Sequence, residues 1–228
     1  MKKIFLFLII FLGGLLQSKA QKAVIDSSYI HAHYEKRMEI FNHLPKEKGG
    51  IVFLGNSITE QGFWNELLPR KVIHNRGIGG DNTFGVLARL DQIIDIKPEK
   101  IFLLIGINDI ARGLPTATIS NNIYRILSQL TDQLPHTSII IQSVIPINEN
   151  LLQADYLKNK KEKISELNKE IKKLASLFEI PYVDLHPLFA NEAGELNKNF
   201  TNDGVHILPP GYLQWMELLK NENLINNY

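Results

Sequence analysis

Apolar runs along this chain alternate with stretches in which apolar residues recur every three or four positions. Short runs rich in β-branched and aromatic residues fall at 50–55 (GIVFLG), 72–75 (VIHN), 101–105 (IFLLI), 138–144 (SIIIQSV) and 181–184 (PYVD). Most are continuously apolar rather than alternating, the pattern of strands in a parallel sheet covered on both faces. Between them the periodicity predicts helices at about 63–69, 83–95, 116–132 and 156–178, with a last one near 209–222. The longest carries Leu157, Ile164, Leu167, Ile171, Leu174 and Phe178 as one stripe. About three heptads would be marginal for a coiled coil, so the stripe is read as a helix docked on a sheet. A polar N-terminal helix is predicted at about 25–43, followed by a turn. This β–α alternation predicts an α/β fold: a three-layer α/β/α sandwich around a five-stranded parallel sheet. One domain over 21–228 is expected, its core spanning about 50–222.

The extreme N-terminus has a different pattern. Lys2 and Lys3 precede an apolar run from Ile4 to Leu16, and Ser18-Lys19-Ala20 supplies small residues at the −3 and −1 positions of a cleavage site. Residues 1–20 are therefore read as a secretory signal peptide, too short in its apolar part to span a bilayer comfortably. An uncleaved anchor is the alternative; a lipoprotein is excluded, because the chain has no cysteine. The expected location is periplasmic or extracellular, with no stable membrane anchor. The whole chain carries 25 Lys+Arg against 24 Asp+Glu, and loss of Lys2, Lys3 and Lys19 leaves a net charge near −2. That balance gives no electrostatic case for a nucleic-acid partner. The missing cysteines also exclude disulfides, thiolate metal ligands and a cysteine nucleophile.

In a parallel α/β sheet the loops after the strands gather along one edge, where sites form. After the first strand come Gly55, Asn56 and Ser57; after the second, "HNRGIGGDNT" with Gly79, Gly80 and Asp81; after the third, "GINDIARG" with Asn108 and Asp109. Asp203 and His206 lie in "NFTNDGVHILPPGY", before the last helix. Each feature has a local explanation: glycines make turns, Asn108-Asp109 could cap a helix, and a lone histidine is commonly structural. Together they supply what acyl transfer needs, namely a nucleophile (Ser57), a base (His206), a carboxylate to hold that base (Asp203) and oxyanion donors (Gly80, Asn108). The three-residue spacing of Asp203 and His206 lets both side chains leave one turn on the same side. No metal site is read, since His206 and Asp203 lack a third ligand at suitable spacing and His31 and His33 diverge on a polar helix. His186 is a rival base, but Asp184 is expected to end a strand and His186 to be structural.

These blocks, in this order, resemble the SGNH hydrolases, also called GDSL-type esterases and lipases. "FLGNSIT" resembles the serine block, "NRGIGGDNT" the glycine block, "IGIND" the G-x-N-D block and "NDGVH" the D-x-x-H block. The "GIGGDNT" run is similar to that of platelet-activating-factor acetylhydrolase catalytic subunits and of bacterial carbohydrate acetylesterases. The resemblance covers Gly50 to about Leu219. It implies a flavodoxin-like fold, a Ser57–His206–Asp203 triad, and an oxyanion hole from the N–H groups of Ser57 and Gly80 with the Asn108 amide. One departure is Asn56, where the family name has aspartate. The α/β-hydrolase elbow G-x-S-x-G fits less well, since the stretch here reads G-N-S-I-T.

The resemblance also implies a cofactor-free, metal-free esterase that works through an acyl-enzyme. Export favours O-acetyl groups on carbohydrates as substrate. A short-chain lipid esterase or lysophospholipase, and a sugar O-acetyltransferase using the same triad, are the alternatives. The segment 145–156 ("IPINENLLQADY") is expected to wall the pocket, and its mixed polarity suits neither a purely lipid nor a purely sugar substrate. A carbohydrate-binding module on a decayed scaffold is the non-enzyme alternative. The oligomeric state is not legible.

Overall fold

Residues 25–45 and 47–225 are described by a computed structural model; the signal-peptide reading of residues 1–20 lies outside them. All five expected strands form: β1 (Ile51–Gly55), β2 (Ile73–Gly77), β3 (Lys100–Leu104), β4 (Ser138–Gln142) and β5 (Tyr182–Val183). They make one parallel sheet in the order β2-β1-β3-β4-β5. The order reverses beside β1, so a crevice opens between the loops that follow β1 and β3. Register aligns the strand ends, with Gly55 opposite both Gly77 and Leu104.

The helices are α1 (Ala32–His43), α2 (Ser57–Glu60), α3 (Trp64–Leu67), α4 (Thr83–Ala88), α5 (Leu90–Ile96), α6 (Ile107–Ala111), α7 (Thr116–Gln133), α8 (Lys161–Leu177), α9 (Leu185–Phe189) and α10 (Pro209–Asn221). Helix α7 packs beside α4, α5 and α8 and buries Ile119, Ile123, Ile126, Leu127 and Leu130. The α8 stripe buries Ile164, Leu167 and Ile171 as a docked helix does. The Trp64 ring of α3 stacks on Phe53 of β1 at 3.9 Å, and Trp215 of α10 meets Trp64 edge-on at 5.1 Å. Such aromatic pairs add to the area term that dominates folding.

Three helix boundaries differ from expectation, each for a local reason. The N-terminal helix starts at Ala32 rather than about residue 25, because His31 is extended (φ −154°, ψ 164°) and caps it, and the stretch before it is held by contacts to the glycine-loop region instead of by helical bonds. There the Ser28 carbonyl accepts from Asn82 Nδ2 at 2.9 Å. The longest helix starts at Lys161 rather than about 156: Asp155–Leu157 form a 3-10 turn and Asn159 adopts φ +58°, which no helix accommodates. The helix expected over 83–95 breaks into α4 and α5 at Arg89 (φ −122°, ψ 16°).

Arg89 leaves the helical path because its side chain, fully buried, turns inward. Its Nε and Nη2 donate to Asp81 Oδ2 at 3.0 and 2.8 Å, its Nη1 to the Arg76 carbonyl at 2.9 Å and its Nη2 to the Gly55 carbonyl at 3.1 Å. A buried pair of this kind holds only while both members are present. Arg89→Met is therefore expected to destabilise the protein by about 3–5 kcal/mol, since it strands the Asp81 carboxylate. Urea unfolding of the variant measures this, and a midpoint equal to that of the parent would contradict it.

Candidate active site

Strand β1 delivers the chain to Asn56, which is buried and extended (φ −98°, ψ −151°). Its Oδ1 accepts the Ile58 N–H at 3.0 Å, so Asn56 caps α2 and Ser57 becomes the first helical residue. The N–H groups of a first helical turn have no intrahelical acceptor, which leaves that of Ser57 free to donate. Asn56 thus has a definite role: it caps without bringing a buried charge beside Ser57.

Strand β2 leads into the glycine loop. A Cβ on Gly77 would lie 2.1 Å from the Glu60 nitrogen, so α2 rests directly against the end of β2. Glu60 then organises the loop: its Oε2 accepts the Gly79 N–H at 2.5 Å, while the carboxylate pairs with His33 Nε2 at 2.9 Å and Arg37 Nε at 3.1 Å. Gly80 has φ +77°, the left-handed region that glycine enters without steric cost. It is exposed, and among the described residues its N–H has no hydrogen-bond acceptor.

From the third loop, Asn108 Nδ2 donates to the Asp81 carbonyl at 2.7 Å. One amide hydrogen fixes the side chain against the glycine loop and the other remains available. The neighbouring Asp109 is buried and accepts the Thr83 N–H at 3.1 Å and the Thr83 hydroxyl at 2.5 Å, tying the start of α4 to α6. Burial pushes its carboxyl up to about 6, against the hydrogen bonds from Thr83 that favour ionisation.

Asp203 and His206 leave one turn together. Asp203 Oδ1 accepts the N–H groups of Val205 and His206 at 2.9 and 2.8 Å, and its Oδ2 meets His206 Nδ1 at 2.6 Å. Burial raises the Asp203 carboxyl, but the hydrogen bonds from the His206 ring, the His206 N–H and the Val205 N–H outweigh it and leave it below its ordinary value. A carboxylate only accepts, so Nδ1 carries the proton and a neutral ring presents its Nε2 lone pair. That Nε2 stands 2.9 Å from Ser57 Oγ. Segment 145–156 holds the turn from outside: the Asn148 N–H donates to the Gly204 carbonyl at 2.8 Å, and a Cβ on Gly204 would lie 2.3 Å from the Asn148 carbonyl oxygen.

The structure thus brings Ser57, Asp203 and His206 into one hydrogen-bonded chain and places Asn108 against the glycine loop. His31 and His33 do not diverge on a helix as expected. His31 is the extended cap before α1, so the two rings lie parallel with centroids 6.4 Å apart. His31 Nε2 lies 3.1 Å from where a Cβ on Gly80 would be, and His33 binds Glu60. Asp184 directly follows β5 and caps α9, while the His186 N–H donates to Ser143 Oγ at 2.9 Å. Glu60, Thr83 and Arg89 were not singled out from sequence. Nothing local marks them, because each acts on a loop brought to it by the fold.

Residues 53–213 match the GDSL-like Lipase/Acylhydrolase family, and the chain belongs to it. Human platelet-activating factor acetylhydrolase IB subunit alpha1 is 24% identical over 168 residues, 71% of this chain and 70% of its own. A GDSL-like lipase from Bacteroides thetaiotaomicron is 26% identical with a TM-score of 0.72, covering 84% of this chain and 98% of its own. The acetylxylan esterase Axe2 from Geobacillus stearothermophilus shares the fold at a TM-score of 0.65 and 16% identity, over 80% of this chain and 98% of its own. The chain is thus a carboxylic ester hydrolase by family.

The Asp109 carboxyl generates a pH test. Its folded-state value lies above its ordinary one, so the associated stability is present at low pH and lost as pH rises through about 6. Relative to Asp109→Asn, the unfolding free energy is expected to fall by up to ~3 kcal/mol between about pH 4 and pH 7. Urea titrations of both proteins measure the difference, and one that stays flat with pH would contradict the assignment.

Proposed function

We propose that the protein is an exported serine esterase that removes acetyl and other short acyl groups, with O-acetylated carbohydrates as its natural substrates. The observation that carries this reading is the unbroken chain from Ser57 Oγ through His206 to Asp203, at 2.9 and 2.6 Å. Beside it lie donors that the fold leaves unused.

In this mechanism His206 Nε2 takes the Ser57 hydroxyl proton as Oγ attacks the ester carbonyl. Asp203 stabilises the imidazolium that forms and keeps Nε2 aimed at the serine. The developing oxyanion is met by the N–H groups of Ser57 and Gly80 and by the free Asn108 amide hydrogen, which Asp81 and Glu60 hold in place through their bonds to Asn108 and Gly79. The imidazolium returns its proton to the leaving alcohol. Water, activated by the same His206, then attacks the acyl-enzyme and releases the acid. Each residue present fits this chemistry, and no step calls for a metal or cofactor.

Supporting the acetyl preference is the acetylhydrolase activity named for the human relative. Supporting a carbohydrate is the signal-peptide pattern of residues 1–20, since export favours such a substrate. That pattern also supports a periplasmic or extracellular location.

Asn108→Ala is expected to lower kcat/KM for p-nitrophenyl acetate by about 10²–10³, equivalent to about 2.7–4 kcal/mol, with the fold retained by circular dichroism. Wild-type turnover in that variant would remove Asn108 from the oxyanion site. On substrate length, p-nitrophenyl acetate is expected to react faster than the octanoate, and acetylated glycans to release acetate in a manner abolished by Ser57→Ala. A preference for the octanoate would turn the assignment to lipid esters, and acetate transfer to an added sugar in place of release would turn it to an acetyltransferase.

A further inference from the structure

Away from Ser57, a cavity of about 320 Å³ opens between the end of α1, strand β2 and helix α5. Phe41, Leu44 and Ile96 give it apolar walls, and Arg76, Gln92 and Asn42 give it polar ones. Its size falls at the low end of the ~300–1,000 Å³ usual for small-molecule sites.

The charge arrangement around it is unbalanced. Three guanidiniums cluster here, those of Arg37, Arg76 and Arg89. Arg89 is paired with Asp81 and Arg37 with Glu60. Arg76 is 6% exposed, yet among the described residues no carboxylate pairs with it. Its Nε is buried without a hydrogen-bond partner, and its Nη1 makes only a long 3.4 Å contact to the adjacent Asn75 carbonyl. The guanidinium carbons of Arg76 and Arg37 both lie 4.7 Å from the centroid of the Phe41 ring, which stabilises the cations but satisfies none of their N–H groups. Glu47 and Asp95 also line the cavity, but both are exposed.

A buried guanidinium without an anion is costly, because its desolvation is not offset. Burial and the neighbouring Arg89 and Arg37 together lower the Arg76 value to about 10. The second mismatch is Gln92: its Nε2 donates to Asn42 Oδ1 at 2.9 Å, while its Oε1 is buried with no donor facing it.

We propose that this cavity is a binding site for a small hydroxy-carboxylate of the size of a monosaccharide acid. The carboxylate takes the donor fork of Arg76, a geometry that suits two parallel N–H···O bonds. A ligand hydroxyl donates to Gln92 Oε1, and the carbon skeleton rests against Leu44 and Ile96. None of Ser57, Gly80, Asn108 or His206 lines the cavity, so the site is separate from the candidate active site.

Isothermal titration of the whole protein with D-glucuronate, D-glucose and inorganic phosphate tests the proposal, with amide NMR to locate the ligand. Glucuronate is expected to bind saturably at one site and to shift the Gln92 side-chain amide signals. Glucose and phosphate are expected to bind at least about tenfold more weakly, lacking respectively the charge and the carboxylate–hydroxyl pair. Arg76→Gln is expected to weaken glucuronate about tenfold or more, and Gln92→Leu to weaken it severalfold without altering esterase turnover. Should Arg76→Gln not fold, Gln92→Leu decides. Absence of saturable glucuronate binding, equal binding of glucose or phosphate, shifts confined to residues around Ser57, or unchanged affinity in a folded variant would each overturn the proposal.

Discussion

The buried Arg89 guanidinium is the interaction on which the arrangement at the sheet edge depends. It joins the Gly55 carbonyl at the end of β1, the Arg76 carbonyl near the end of β2 and the Asp81 carboxylate of the glycine loop. Desolvating such a pair costs several kcal/mol per ion in general, and the cost is offset only when the donors find well-placed acceptors. Here Nε and both Nη atoms do. The spacing between the Ser57 turn and the Gly80 turn is thereby set by a residue bonded to the strand end before the one and to the Asp81 side chain of the other. The same demand for inward donors breaks the helix at Arg89, so the α4–α5 discontinuity and the shape of the site have one cause.

Around that anchor the edge is tied by contacts between segments distant in the chain. Glu60 joins α2 to the glycine loop and to α1 through Gly79, His33 and Arg37. Asp109 joins α6 to α4 through Thr83, whose hydroxyl also accepts from Asn122 Nδ2 of α7 at 2.9 Å. Asn148 braces the turn that carries Asp203 and His206. The side chains proposed to do chemistry are partly exposed, whereas Asp109 and Asn148, which brace the loops that carry them, are buried. That division lets the reactive groups reach a substrate while their positions are fixed by packing.

The stretch beginning at Asn56 illustrates how much a single residue can carry. A cap needs only an acceptor oxygen, and Asn56 supplies one to the Ile58 N–H while adding no charge to a fully buried position. An aspartate could accept the same bond but would bring a charge into that fully buried position.

The five strands, their parallel arrangement and the loops that carry Ser57, Gly80, Asn108, Asp203 and His206 were legible in the sequence, whereas the strand order was not. They could be read because burial on both faces writes continuous apolar runs, and strand ends write glycines and small polar residues. The 203–206 turn was legible for the same reason, its two side chains being close in the chain before they are close in space. The supporting contacts came from tertiary structure alone: Arg89 inside a helical pattern, Glu60 against the glycine loop, His31 extended beside Gly80, and Arg76 with no carboxylate paired with it among the described residues. Their periodicity and composition match those of ordinary surface residues. Their roles come from which distant backbone groups need an acceptor or a donor once the chain is folded. A local pattern does not encode that need, since the groups concerned stay hydrated until the sheet brings them together.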